Sequence, residues 1–318
     1  MISKSSLPEG FRAPFELAGV PEASPVLLAF SGGPDSAVLL FMLTKYRELT
    51  GAPVYAAHID HKIREDEHDR DREFCEKIAK QYGVKLFTLV ADVPAIAKES
   101  GESLETAARR VRYDFFEKIM KENEIGILAT AHNADDNLET VLLNLTRGSG
   151  LKGMRGIPPV RSFGGGVIVR PILDMSKDDI LSYAKENAVE YVLDSTNVIA
   201  DCSRNIIRLK VIPELKAINQ SVIKTAKRMS DSIAEDEAYL DGIADEIAQK
   251  CSDGIALKEL CSLPTPVKTR VIGKLAGGLE TVHVKSILKI AEGGVPHSSI
   301  SLPGKICAKI EDGKLIYT

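Results

Sequence analysis

The sequence lacks several features that mark common protein classes. It has no tryptophan, only five cysteines in 318 residues and no Cys-x-x-Cys pair, which argues against a zinc ribbon or an iron–sulfur site. No apolar stretch is long enough to span a bilayer, and the first ten residues have no apolar core of a secretory signal. We therefore expect reduced thiols, no membrane partner and a cytoplasmic location.

The Gly-Lys-Ser/Thr ending of the common phosphate-binding loop is also absent, but another glycine-rich turn is present. Residues 26–30 predict a buried strand, residues 31–36 (Ser-Gly-Gly-Pro-Asp-Ser) break it, and residues 37–49 predict a helix. Such a turn favours phosphate because backbone N–H groups and the helix dipole meet there. Asp35 would repel a phosphate unless Mg²⁺ lay between them.

A turn with helix-capping side chains is the simpler interpretation of this segment, since Asp and Ser are good caps. The complete six-residue string after a strand is more specific than a glycine pair. It resembles the loop of enzymes that cleave ATP between its α and β phosphates and leave AMP on a substrate oxygen.

Strands and helices alternate along the first two thirds of the chain. Further strands are predicted at 54–60, 84–90, 125–131 and 167–173, and further helices at 65–82, 103–121, 134–146 and 177–187. This alternation predicts an α/β fold with a parallel sheet and helices on both faces, similar to a Rossmann fold. Ligands of such sheets bind beyond the carboxyl ends of the strands. Three polar clusters follow predicted strand ends: the loop at Ser31, His58 with Asp60 and His61, and His132 with Asp135 and Asp136.

The last third of the chain has a different pattern. A long charged helix is predicted at 222–249, followed by short helices and by strands at 305–310 and 314–317. We predict an N-terminal lead-in at 1–24, a catalytic domain at 25–216, and a helical linker with a small α+β domain at 217–318.

The clearest acidic cluster lies at the start of the helix predicted at 134–146. Asp135, Asp136 and Glu139 share one face of that helix, directly after a strand and close to His132. Asn133 as a cap with acids in the first turn explains one of these carboxylates but not three. The cluster could hold magnesium or an ammonium group.

Two groups of arginines are ambiguous on spacing alone. Glu105, Arg109 and Arg112 lie in one sector of their helix. They could form a row of ion pairs on the surface, or they could lie at the edge of a cleft and contact a phosphate. Arg204 and Arg208 are spaced to clamp a phosphate on one helix face, or simply to be solvated.

Charge is distributed unevenly. The net charge is −4, yet residues 140–173 contain no acid and residues 204–228 carry seven basic residues against one acid. Such tracts could place a phosphate-rich partner on one side of the protein. Solvated helix faces explain either tract taken alone.

Taken together, these motifs resemble the tRNA(Ile)-lysidine synthetase family of the PP-loop ATP pyrophosphatases, in a short form. The resemblance covers roughly residues 25–220, in family order, and is carried by the segments 31–36, 58–61 (His-Ile-Asp-His), 107–113 (Ala-Ala-Arg-Arg-Val-Arg-Tyr), 130–140, 147–151, 170–171, 194–197 (Asp-Ser-Thr-Asn) and 204–205. The last third is similar only in outline, best at 301–304. Asn133 and Asn137 stand where relatives often carry His and Gln.

The resemblance implies a two-step reaction. ATP adenylates the C2 oxygen of the wobble cytidine in an isoleucine tRNA with a CAU anticodon. The ε-amine of free L-lysine then attacks C2 and displaces AMP, so that the resulting lysidine pairs with A and the tRNA gains isoleucine identity.

The resemblance also implies roles for individual residues. The loop residues and one histidine would bind ATP: Ser31, Gly32, Gly33, Pro34, Asp35, Ser36 and His58. The catalytic set would be Asp35, Arg112, His132, Asp136, Glu139 and Arg204. Asp35, Asp136 and Glu139 would hold Mg²⁺, and the latter two could instead grip the lysine substrate.

Three alternatives stay open at this point. A tRNA 2-thiolating enzyme shares the ATP chemistry but typically needs paired cysteines. An amidating ligase of the GMP synthetase type shares the loop but lacks the motifs at 58–61 and 204. A non-catalytic nucleotide- or RNA-binding module would not need the acidic cluster, which repels nucleic acid unless a cation is bound. The oligomeric state is undetermined, with a homodimer as one option.

Overall fold

The structure is a computed structural model that describes residues 7–62, 68–193, 202–251, 254–277, 281–293, 298–302 and 307–318. The predicted motif at 194–197 and half of the motif at 301–304 lie outside these residues, as do the first residues of the predicted helix at 65–82 and strand at 305–310. The chain divides into two compact units, Met1–Ser230 and Asp231–Thr318. This division falls later than the boundary at 216/217 predicted from the sequence.

The first unit is built on a six-stranded sheet. Its strands are β1 (Val26–Ala29), β2 (Val54–Asp60), β3 (Lys85–Val90), β4 (Ile127–Ala129), β5 (Val160–Phe163) and β6 (Gly166–Val169). Their order is β3-β2-β1-β4-β6-β5, and all described pairs are parallel except β5 with β6. The predicted α/β fold is therefore confirmed, with an antiparallel edge strand that the sequence analysis missed.

Helices of this unit follow the strands in alternation. They are α1 (Ala13–Leu17), α2 (Pro34–Thr50), α3 (His68–Gln81), α4 (Val93–Ser100), α5 (Leu104–Glu122), α6 (Ala134–Thr146), α7 (Leu151–Met154), α8 (Lys177–Glu186), α9 (Cys202–Ile206) and α10 (Ile212–Ile218), with a π-helical segment at Ile207–Val211. Helix α11 (Val222–Gln249) runs from the first unit into the second. No helix in the described ranges is long and apolar enough to cross a membrane.

Alternation along β1 explains why helices cover both faces of the sheet. Val26 and Leu28 belong to one apolar core, with residues of α2, α3 and α8, whereas Leu27 belongs to another, with residues of α5. All three β1 residues are fully buried. Strand β1 lies between β2 and β4, so the chain leaves β1 and β4 toward different neighbours and opens a crevice at their carboxyl ends.

The second unit has its own core around a four-stranded antiparallel sheet in the order β7-β10-β9-β8. Its elements are β7 (Ile255–Ala256), α12 (Leu257–Ser262), α13 (Thr265–Leu275), α14 (Thr281–Gly293), β8 (Ser299–Ser301), β9 (Cys307–Glu311) and β10 (Lys314–Tyr317). The predicted small α+β domain is thereby confirmed in its fold class.

Candidate functional site

The loop after β1 has a backbone shape that favours glycine. Gly32 has φ +84°, and a Cβ atom on it would lie 3.1 Å from the Cys75 sulfur and 3.2 Å from Val192. Gly33 then caps α2 with extended backbone, and Pro34 starts the helix. The loop therefore leads directly into a helix N-terminus, as the sequence predicted.

Two serines close this loop on itself. The hydroxyl oxygens of Ser31 and Ser36 lie 3.1 Å apart, and the Ser36 oxygen also accepts the Ser31 N–H at 3.3 Å. The Ser36 hydroxyl donates to the carbonyl of Gly33 at 3.1 Å. Ser36 is buried and Ser31 is exposed. The loop is therefore fixed by hydrogen bonds on its buried side, while its other side faces solvent.

His58 supports the strand end that precedes the loop. Its side chain is 5% exposed, and its Nδ1 donates to the Phe30 carbonyl at 3.0 Å, since a carbonyl can only accept. The Cys75 sulfur lies 3.4 Å from the same nitrogen. Burial lowers the pKa of His58, which favours the neutral ring.

Asn133 joins the acidic cluster to the loop. It caps α6 by accepting the Asp136 N–H at 3.0 Å, and its own N–H donates to the Asp136 carboxylate at 3.1 Å. Its side-chain amide donates to Asp35 at 3.3 Å. The carboxyl ends of β1 and β4 are thus connected through one residue, and Asp35 and Asp136 share a site.

Lys177 is a part of the site that sequence reasoning missed. Its ammonium nitrogen lies 2.6 Å from the Asp35 carboxylate, although 142 residues separate the two in sequence. The capping box of Ser176 starts α8 there, and the Lys177 N–H donates to Asp135 at 2.8 Å. Asp35 therefore already has a cation beside it.

Glu139 is paired with arginines. Its side chain is 1% exposed, and its two oxygens accept from Arg208 Nε at 2.6 Å and Arg208 Nη2 at 3.0 Å. Arg204 Nε lies 3.5 Å away, and Arg208 also approaches Asp136 at 3.6 Å. The hydrogen bond to Glu139 raises the pKa of Arg208. The predicted grouping of Asp136, Glu139 and Arg204 is present, with Arg208 as an added member.

Replacing Glu139 with glutamine is expected to destabilise the protein by about 3 kcal/mol, because it leaves a partly buried guanidinium without its carboxylate. Urea unfolding measures this difference. Glu214→Gln, at an exposed position of α10, is the matched control and should change the unfolding free energy by less than about 0.5 kcal/mol. Equal stabilities for the two variants would contradict a structural role of the pair.

Negative charge concentrates at Asp136. Burial, together with the nearby Glu139 and Asp35, raises the pKa of this carboxyl to about 6. Within the described ranges, no group of three or more Asp, Glu, His or Cys side chains has the arrangement of a metal site. Mg²⁺ in nucleotide sites needs only one or two carboxylates plus phosphates. Asp136 fits that requirement, and Asp35 would fit it once Lys177 moves from it to a phosphate, whereas two arginines pair with Glu139.

Positive charge concentrates around His132. Burial lowers the pKa of this histidine to about 3, and four arginines act in the same direction: Arg170, Arg109, Arg204 and Arg112. Its Nδ1 lies 3.0 Å from the Thr130 hydroxyl. The ring is therefore neutral and can exchange hydrogen bonds with an uncharged base. Arg112 and Arg204, predicted with His132 among the catalytic residues, both lower the pKa of that histidine in the folded chain.

The family model for the PP-loop domain matches residues 11–215. The chain belongs to the PP-loop family. Membership implies that this PP-loop protein uses ATP, as the loop after β1 predicted. It is also similar to several curated proteins named tRNA(Ile)-lysidine synthase, so the resemblance noted from the motifs is confirmed.

Three of these relatives show how far the similarity extends. The protein of Persephonella marina is 40% identical over 76% of this chain and 52% of its own length. That of Geobacillus kaustophilus is 33% identical over 89% of this chain and 64% of its own, and that of Bacillus subtilis 35% over 87% and 62%. The chain thus spans between about half and just under two thirds of the length of these relatives.

Among solved structures, the U34-tRNA thiolase NcsA from Methanococcus maripaludis, with its [4Fe-4S] cluster, matches this PP-loop protein with a TM-score of 0.57. The match covers 71% of this chain and 78% of that chain at 16% sequence identity. At this sequence identity, the match shows a shared fold alone.

Proposed function

We propose that this PP-loop protein is an RNA-modifying ligase that attaches lysine to the wobble cytidine of a CAU-anticodon isoleucine tRNA. The observation that carries the proposal is the bridge through Asn133, which sets Asp35 of the ATP loop beside Asp136 of the acidic cluster. ATP activation acts on the C2 oxygen and amine attack acts on the C2 carbon, so the reaction needs both groups beside one C–O bond. The similarity to curated lysidine synthases supplies the reaction class.

In the first step the C2 oxygen of cytidine attacks the α-phosphate of ATP and pyrophosphate leaves. The backbone of residues 31–36 and the N-terminus of α2 bind the phosphates. Asp35 and Asp136 would hold Mg²⁺, which would neutralise charge on the departing pyrophosphate. Lys177, displaced from Asp35, is close enough to pair with a phosphate.

In the second step the ε-amine of lysine attacks C2 and AMP leaves. The amine must lose a proton, because its ordinary pKa is about 10.4. Where Asp136 is free of Mg²⁺ in this step, its pKa of about 6 leaves it ionised at neutral pH, and it can hold the ammonium form or accept its proton. Neutral His132 positions the cytosine, and Arg112 and Arg204 face the RNA or AMP phosphates.

The remaining sequence predictions enter the same proposal. Residues 25–216 are the catalytic domain, and residues 217–318 form a helical linker and a small domain that contacts tRNA. His58 orients the ATP loop through Phe30. Self-association as a homodimer is checked by light scattering.

The decisive experiment incubates the protein with ATP, Mg²⁺, lysine and an unmodified CAU-anticodon isoleucine tRNA. Mass spectrometry of the wobble nucleoside is expected to show the mass of lysidine, with release of AMP and pyrophosphate. Sulfur insertion in the presence of a sulfur donor would assign the chain to the thiolating alternative. If the nucleoside is unchanged although the protein binds ATP, the chain is instead a non-catalytic nucleotide-binding module.

A further inference from the structure

Two arginines contact aromatic rings where helix α5 lies beside the edge strand β5. The guanidinium carbon of Arg109 lies 4.8 Å from the Tyr113 ring centroid, and that of Arg161 lies 5.4 Å from it. Arg161 is also 5.9 Å from the Phe163 ring, which meets Tyr113 edge-on at 5.3 Å. We call Arg109, Tyr113, Arg161 and Phe163 the arginine–aromatic patch. Cation–π contacts restrict the two guanidiniums without neutralising them.

Within the described part of the chain, neither arginine of the patch has a carboxylate partner. Arg110, the next residue on α5, differs because it pairs with Glu102 at 2.8 Å. Both Arg109 and Arg161 are exposed, and residues 140–173 around β5 contain no acid. Unpaired, pre-positioned guanidiniums are suited to bind an anion.

Arg170 provides a second, independent sign of missing negative charge. Its side chain is 5% exposed and its Nε has no hydrogen-bond partner, although its Nη1 donates to the Pro158 carbonyl. Burial lowers the pKa of Arg170 to about 10, and Arg161 and Arg109 lower it too. A buried cation with an unused donor beside two exposed cations is stabilised when an anion arrives.

The patch adjoins the candidate site through neighbouring strands. Thr130, whose hydroxyl lies 3.0 Å from His132 Nδ1, donates its N–H to the carbonyl of Val169, the residue before Arg170, and Arg161 pairs with Ile168 in the same sheet. An anion bound by the patch therefore belongs to the same substrate that contacts His132, or fits beside that substrate. In a single-stranded RNA loop, phosphates lie on both sides of the reacting base, and bases can stack on guanidinium planes.

We propose that the arginine–aromatic patch, with Arg170, binds phosphates of the RNA strand next to the nucleotide that reacts. This inference rests on the proposed function for the identity of the RNA. The patch acts in binding rather than in the chemical steps.

The test compares Arg109→Ala and Arg161→Ala with Arg110→Ala, a neighbouring exposed arginine that has a carboxylate partner. Fluorescence anisotropy measures binding of unmodified CAU-anticodon tRNA over a series of salt concentrations. Each patch variant is expected to bind about tenfold more weakly. Each should also lower the slope of log K against log salt by about 0.7 to 0.9, as for one lost phosphate contact. Arg110→Ala should behave as the wild type, and Arg161→Lys should keep the salt slope.

Steady-state kinetics separates the patch from the active site. The KM for tRNA should rise with the loss of affinity, whereas kcat at saturating tRNA and the KM for ATP should stay at wild-type values. Wild-type affinity and salt slope in both patch variants would overturn the inference, as would poly-glutamate binding that depends on the patch while tRNA binding does not. The binding assay needs no turnover, so an inactive wild type whose RNA affinity depends on the patch would refute only the proposed function.

Discussion

Asp35→Asn is expected to reduce tRNA-dependent pyrophosphate release by about a thousandfold, the scale of losing one pre-positioned electrostatic group at a transition state. The substitution removes the carboxylate that faces Lys177 at 2.6 Å and Asn133 at 3.3 Å. The amide cannot balance Mg²⁺ beside the phosphates, and the Lys177 ammonium loses its counter-ion. Pyrophosphate release in single turnover, measured with labelled ATP, reports this step before lysine is added.

The control for this variant is Asp178→Asn on α8. Asp178 is 82% exposed and lies 3.7 Å from Lys216, so its loss should leave the rate within about threefold of wild type. Asp35 is itself partly exposed, and its variant should retain the wild-type unfolding free energy to within about 1 kcal/mol. A folded Asp35→Asn protein that releases pyrophosphate at the wild-type rate would remove the loop from the mechanism.

Local sequence signals were sufficient for the elements that carry the ATP loop and the acids. Helix α6 spans the predicted residues 134–146, because Asn133 and Asp136 form a capping box and fix its first turn. Strand β2 also matches its predicted residues 54–60. Helix α2 begins at Pro34, earlier than predicted, since Gly33 can act as its cap. The proximity of the two loops followed from strand ends meeting at one edge of a parallel sheet.

The parts that could not be predicted depend on long-range pairing or weak local patterns. Lys177 looks like an ordinary first-turn residue until α8 packs beside the loop. Glu139 has the same spacing whether it holds Mg²⁺ or Arg208, and 69 residues separate that pair. Strand β5 is short, and two of its four residues, Arg161 and Ser162, are exposed, so it lacks the apolar run used to find strands.

Asp35 and Glu139 each have a close cation partner in the site, whereas Asp136 has Arg208 only at 3.6 Å, and this difference makes Asp136 a costly residue for the folded protein. Glu139 and Asp35 raise the pKa of Asp136, and four arginines lower the pKa of His132. A substrate that carries both phosphates and an amine matches both the arginines and the carboxylates. Without such a substrate, Asp136 stays buried near two other carboxylates, so function and stability are expected to conflict at this residue.

Asp136→Asn is expected to reduce lysine attachment at least a hundredfold, roughly the contribution of a positioned general base. The same change should make the protein more stable at neutral pH. The pKa of Asp136 is raised to about 6 from an ordinary value of 3.8, so the folded state favours its protonated form. This contribution is fully present below the ordinary value and is lost as pH rises through about 6. Asparagine is not ionised and keeps an oxygen that can accept the Asn133 N–H.

Urea unfolding in the presence of EDTA tests the stability effect. Asp136→Asn should exceed the wild type by about 1 to 3 kcal/mol near neutral pH, and the difference should shrink as pH falls through the interval between 6 and 3.8. Asp178→Asn should show no such pH-dependent gain. The kinetic readout is lysine attachment at saturating lysine, beside the KM for lysine. A variant that attaches lysine at the wild-type rate would show that Asp136 does not accept the proton of the amine. A variant that is less stable than the wild type at neutral pH would show that ionised Asp136 does not destabilise the fold.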